Sequence, residues 1–123
     1  MFDHVKFGVR DYAASKAFYL QALAPIGVSV VGEGEPAYGV ELSAGGESSL
    51  CLFQTTEAPA HLHIAFVAQR REQVDAFHRA ALAAGARDNG PPGLRPKYHP
   101  NYYAAFVIDP DGHNIEMVCH APA

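Results

Sequence analysis

The sequence predicts an α+β fold made of two copies of a strand–helix–three-strand module. Three observations carry that expectation. The segments FDHVKFGV (2–9) and HLHIAFVA (61–68) alternate side-chain character with the period of a strand. Each leads into a run with helical spacing. The two strand–helix pairs also superpose at one offset of 59: His4 on His63, Val5 on Ile64, Phe7 on Phe66, Ala17 on Ala76, Phe18 on Phe77, Ala22 on Ala81 and Leu23 on Leu82. One register that matches both a strand and the helix after it marks an internal repeat, here with modules at 1–55 and 61–120 of a single domain.

The elements follow in order. In the first strand Val5, Phe7 and Val9 share the apolar face, and Phe2, His4, Lys6 and Gly8 share the other. Asp11 is a plausible N-cap for a helix from Tyr12 to Leu23, whose apolar residues Ala14, Ala17, Phe18 and Ala22 recur at helical spacing before Pro25 and Gly27 stop it. Strands are expected at 28–31, 37–43 and 49–54, separated by Gly- and Glu-rich turns, with 55–60 as a connector. After the second strand, a helix runs from Arg71 to Ala84 and stops at Gly85. Residues 86–102 read as a long Pro- and Gly-rich loop, and such a loop inside a small domain is more often functional than ornamental. Tyr102 to Cys119 then reads as a hairpin. Its turn, Asp109-Pro110-Asp111-Gly112, has Pro for a preset φ, Asp to cap and Gly for a left-handed residue.

Composition narrows the function classes. The 123 residues fit one compact domain, and the net charge of -4 with scattered basic residues argues against nucleic acid. No apolar run is long enough to span a membrane and no leader pattern opens the chain, so a cytoplasmic protein is expected. Cys51 and Cys119 stand far apart in strand-like runs, which suggests buried free thiols in a reducing compartment.

The chemistry is expected on the strand faces turned away from the helices. His4 and His63 lie there at repeat-equivalent positions, and Glu116 lies on the corresponding face of the last strand, opposite Ile115 and Met117. With the modules side by side, two imidazoles and one carboxylate converge. That is the ligand set of a facial triad, which leaves coordination positions open for water, substrate or dioxygen. The loop adds Arg95, Lys97, Tyr98, His99, Tyr102 and Tyr103 within nine positions, donors suited to an anionic or oxygen-rich substrate. Hairpin register leaves open whether Tyr102 or Tyr103 faces Glu116. Tyr103 and Glu116 are the catalytic candidates; Arg95, Lys97, Tyr98, His99 and Tyr102 are the substrate-binding ones.

The stretches HVKFGVRDYAASKAFYLQAL, HLHIAF and FVIDPDGHNIEMV resemble the vicinal oxygen chelate superfamily, which includes glyoxalase I, extradiol dioxygenases, fosfomycin-resistance thioltransferases and bleomycin-resistance proteins. The resemblance spans nearly the whole chain. It implies paired βαβββ modules that form a curved mixed sheet with helices on the outer face and a divalent metal in the concavity. It also implies that His4, His63 and Glu116 are the ligands of a Zn, Ni, Mn or Fe ion. Glyoxalase I has a fourth ligand on the last strand of the first module, and the matching place here falls near Leu52. The implied activity is metal-dependent chemistry of glyoxalase or dioxygenase type: chelation of vicinal substrate oxygens and stabilisation of an enediolate or alkoxide. The implied assembly is a homodimer with a small-molecule substrate. The alternative is a binding protein that sequesters a drug-like ligand without turnover.

Overall fold

The computed structural model describes residues 1–46, 48–58 and 60–123. Residue 47, before the last strand of the first module, and residue 59, in the expected connector, lie outside the described residues. The chain divides into two compact units, Met1–Ala60 and His61–Ala123.

In the first unit, strand β1 (His4–Val9) passes into helix α1 (Tyr12–Ala22) and a 3₁₀ turn at Ala24–Ile26, followed by β2 (Ser29–Glu33), β3 (Val40–Ser43) and β4 (Ser49–Gln54). Asp11 does cap the helix: its carboxylate accepts the Ala14 backbone N–H at 3.0 Å, satisfying one of the free donors of the first turn. The buried stripe is Ser15, Phe18, Tyr19 and Ala22, while Ala14 and Ala17 face solvent. The aromatic rings decide this, because Tyr19 packs edge-on against both Phe7 and Phe18 and brings that side of the helix inward. The sheet order is β1-β4-β3-β2, with β1 parallel to β4 and the rest antiparallel.

The second unit repeats the plan with β5 (His63–Ala68), helix α2 (Arg71–Ala83), β6 (Arg87–Leu94), β7 (Tyr103–Ile108) and β8 (Asn114–Cys119), in sheet order β5-β8-β7-β6. Helix α2 lies on the sheet face that carries Ala105, Val107, Ile115 and Met117, where Val74, Phe77 and Ala81 are fully buried. Each large apolar side chain buried in this way stabilises the unit by about 1.5–3 kcal/mol. The repeat pairs Phe18 with Phe77 and Ala22 with Ala81 as core residues, yet Leu23 is buried and Leu82 is 38% exposed.

Two expectations change. The segment read as a loop from residue 86 onward contains β6, so the irregular connection is only 95–102. Its sequence, RDNGPPGL, has poor strand propensity, and it forms a strand because β7 supplies the ladder. Register shifts between Asp88 and Gly90 and between Gly90 and Gly93 absorb the misfit. As an edge strand it also tolerates Pro91 and Pro92, whose missing N–H groups would interrupt a central one. Of the two free thiols, Cys119 is buried as expected, but Cys51 is only half-buried.

The 109–112 turn forms as its residues demand. Gly112 has φ +89°, and Asp109 accepts the backbone N–H groups of Asp111 at 3.0 Å and His113 at 2.8 Å while 5% exposed. Asp109→Ala leaves both donors without that partner in a buried turn. It is expected to cost about 1–3 kcal/mol, read as a lower urea midpoint at unchanged m-value.

Candidate functional site

The face of the second sheet that turns away from α2 carries a buried carboxylate. In the ladder Ala65, Glu116 and Phe106 stand in one row across β5, β8 and β7, so they share this face. Glu116 is 2% exposed, and an ionised group that far from water must have both oxygens engaged. They are. Oε1 lies 2.8 Å from Nε2 of His63, and Oε2 accepts the hydroxyl hydrogen of Tyr102. The imidazole of His63 remains open to solvent, with its side chain 54% exposed. One end of the constellation is therefore dry and the other wet.

Tyr102 is half-buried on this side and held there by its ring contacts. Its ring meets Tyr98 at 4.8 Å and the imidazoles of His99 and His120 each at 5.3 Å between centroids. Burial first, and the Glu116 carboxylate second, push its phenol up to about 12. His99 is fixed in turn. Its Nδ1 accepts the Asn101 backbone N–H at 3.0 Å, so in the neutral ring Nε2 carries the hydrogen and donates to Nδ1 of His120 at 2.6 Å.

Tyr103, a catalytic candidate from the sequence, is on the opposite side. Its hydroxyl donates to Asp75 of α2 at 2.7 Å and its ring lies under the Arg71 guanidinium at 5.1 Å, so it belongs to the helix–sheet packing. The Asp75 hydrogen bond, ahead of burial, raises its phenol above the usual tyrosine range. Side chains alternate across a strand, so only one of two neighbours can reach Glu116, and it is Tyr102. Arg95 reaches this face, with its guanidinium 5.3 Å from the Phe106 ring, whereas Lys97 sits over the exposed Tyr98 ring at 5.1 Å.

In the first unit, His4 lies on the matching face. Its Nδ1 donates to Asp3 at 2.7 Å, which leaves Nε2 as the lone-pair nitrogen of the neutral ring, the arrangement that outer carboxylates impose on ligand histidines. His4, Lys6, Tyr38, Glu41 and Cys51 line a cleft of about 410 Å³. The ladder also corrects the expected fourth position. Lys6 pairs with Cys51 as Ala65 pairs with Glu116, each two residues after the histidine, so the counterpart of Glu116 is Cys51 and not Leu52. Leu52 points into the core and is fully buried.

The second-unit pair suits a metal in one respect. Two donors about 2.1 Å from one octahedral ion and at right angles stand roughly 3 Å apart, close to the separation of His63 Nε2 and Glu116 Oε1. Imidazole nitrogen with carboxylate oxygen is also a donor set for first-row divalent ions. Among the described residues no group of three or more His, Cys, Asp or Glu is placed to hold a metal ion, so the pair fills two positions and no more. Sequence reading missed Phe106, His120, Asp75 and Asp3. Phe106 was within reach, since counting back from the 109–112 turn sets it opposite Glu116. Asp3 adjoins His4 in the sequence, whereas His120 and Asp75 reveal themselves only through contacts between distant stretches of chain.

Comparison with known proteins agrees with this layout. Residues 1–117 match the model of the Glyoxalase/Bleomycin resistance protein/Dioxygenase superfamily. A glyoxalase/bleomycin resistance protein from Albidiferax ferrireducens T118 is 30% identical, with a TM-score of 0.82 over 99% of both chains. A glyoxalase/bleomycin resistance protein/dioxygenase family enzyme from Burkholderia phytofirmans PsJN shares the fold at 21% identity and a TM-score of 0.77, covering 97% of this chain and 98% of its own. A glyoxalase-related enzyme from Fulvimarina pelagi does so at 18% identity and a TM-score of 0.76, covering 97% and 87%. No curated protein matches the chain. With two βαβββ units, repeat-equivalent histidines and a family match over nearly its whole length, the chain belongs to the glyoxalase/bleomycin resistance protein/dioxygenase superfamily.

Proposed function

We propose that the chain is a divalent-metal-dependent enzyme of glyoxalase or dioxygenase type, acting on a small substrate with neighbouring oxygens. The observation that carries this reading is the buried Glu116 carboxylate, shared between a solvent-facing imidazole and a phenol. A carboxylate kept for stability alone gains little from such a place, because burying the charge costs more than a surface pair returns. His63 and Glu116 would hold the ion, and His4, repeat-equivalent to His63, is the third ligand that the family resemblance implies. When bound, the cation supplies Lewis-acid polarisation of the substrate oxygens.

The protein groups have separate tasks. Glu116 is the candidate proton acceptor, and Oε1, the oxygen that Tyr102 does not hold, would serve the ion or a substrate proton but not both at once. Tyr102 keeps its proton and holds Oε2 in place, so it orients the carboxylate and stands ready to donate. His63 keeps the wet end open to the incoming molecule. The proposed setting is the cytoplasm, which suits two free thiols. No described helix is long and apolar enough to cross a membrane.

Metal analysis of the purified protein is the direct test. His4→Ala, His63→Ala and Glu116→Gln are each expected to weaken metal binding by more than about 10-fold. His78→Ala is expected to leave it unchanged, because His78 is on α2 and pairs with Asp88 at 2.9 Å. Equal metal loss in all four variants, or wild-type protein with no metal affinity, sinks the enzyme reading and leaves a ligand-sequestering protein.

Tyrosine ionisation tests the role of Tyr102. A phenol whose folded pKa is raised contributes stability that is fully present below about 10 and is lost as pH rises through about 12. Tyr12 on the first unit is also pushed up to about 12, so ultraviolet difference titration should show the transition near 12 lose one phenol in Tyr102→Phe, and that phenol's share should move to lower pH in Glu116→Gln. The same midpoint in wild type and Glu116→Gln would mean that the carboxylate does not act on Tyr102.

We also propose a homodimer, since each four-stranded sheet has two edges and open edges are usually covered. Light scattering at micromolar concentration should give twice the chain mass. A monomer mass counts against it.

A further inference from the structure

Arg95 is built into place without an anion of its own. Its backbone N–H donates to the Tyr102 carbonyl at 2.7 Å and its Nη2 donates to the Pro91 carbonyl at 2.8 Å. The guanidinium then lies on Phe106, whose ring is 6.3 Å from that of His63. Room for it comes from two glycines in the bulged part of β6. A Cβ on Gly90 would stand 3.2 Å from Nη2, and one on Gly93 would stand 3.1 Å from Nη1. Glycine at both positions keeps the fork free to lie flat. Among the described residues no carboxylate stands within ion-pair distance of Arg95.

A half-buried guanidinium oriented on one carbonyl, with its remaining N–H groups unspent, is prepared for a planar two-oxygen acceptor. Its aromatic support adds an apolar surface beside the charge. We propose that Arg95 is the anion-recognition residue of this face: it takes the carboxylate of a small organic acid whose apolar body rests on Phe106 and whose other oxygens extend toward His63 and Glu116. This names a substrate class for the enzyme reading above and rests on that reading for the position of the reacting oxygens. Lys97 is excluded from the role. It stands over the exposed Tyr98 ring, away from Phe106.

The test uses benzoate as the probe and benzamide as its neutral isostere, each titrated by calorimetry into the full-length protein, with metal content measured on the same samples. Benzoate is expected to bind at least ten-fold more tightly than benzamide. Arg95→Gln should bring benzoate down to the benzamide level, Arg95→Lys should fall between, Gly93→Ala should weaken benzoate alone, and Lys97→Ala should match wild type. Equal binding of the two probes, or as large a loss from Lys97→Ala as from Arg95→Gln, overturns the proposal. Inorganic phosphate binding as tightly as benzoate overturns the apolar part of it. Metal-bearing protein without a carboxylate preference refutes this inference alone; a carboxylate preference in protein with no metal affinity refutes only the enzyme reading.

Discussion

The second unit is arranged around one desolvated carboxylate. Glu116 stands in the interior of a sheet face with almost no access to water, and its two oxygens are divided between His63 and Tyr102. Such a group is tolerated only when neighbours replace the hydrogen bonds that water would give, and replacing it on one oxygen would not suffice. The rest of the unit supplies that replacement. β5 brings the imidazole, the 95–102 connection brings the phenol, and Phe106 fills the row beside the carboxylate.

Register is what makes the arrangement possible. Because side chains alternate along a strand, a shift of one residue in β8 would turn Glu116 into the helix-facing core and expose Ile115 or Met117. The turn held by Asp109 and Gly112 sets that register for β7 and β8, and the parallel pairing of β5 with β8 carries it to His63. The same alternation sends Tyr102 and Tyr103 to different tasks, one to the carboxylate and the other to Asp75.

The two units share a scaffold and differ in chemistry. The offset is 59 between His4 and His63 but 65 between Ser49 and Asn114, so the second copy is longer between its helix and its last strand. At the place where the second unit has Glu116, the first has Cys51, and at the place of Ala65 it has Lys6. The common core of paired aromatics and alanines is kept because packing density tolerates little change, while the opposite face varies because it contacts no helix.

Much of this was legible in the residues themselves. Alternation placed β1, β5 and β8, the offset of 59 paired His4 with His63, and Asp-Pro-Asp-Gly announced the turn, all because these signals are local and periodic. Arg95 could be named as a candidate but not distinguished from Lys97, and β6 was hidden in a segment whose own propensity argues for a loop. Those outcomes depend on partners distant in sequence: β7 supplies the ladder that makes residues 87–94 a strand, Asp75 draws Tyr103 away, and Phe106 receives Arg95. Local chemistry chose the elements and the faces. Which side chain on each face meets which was decided by tertiary pairing, because hydrogen bonds and ring contacts between strands are set by register across the sheet and no single stretch of chain contains that information.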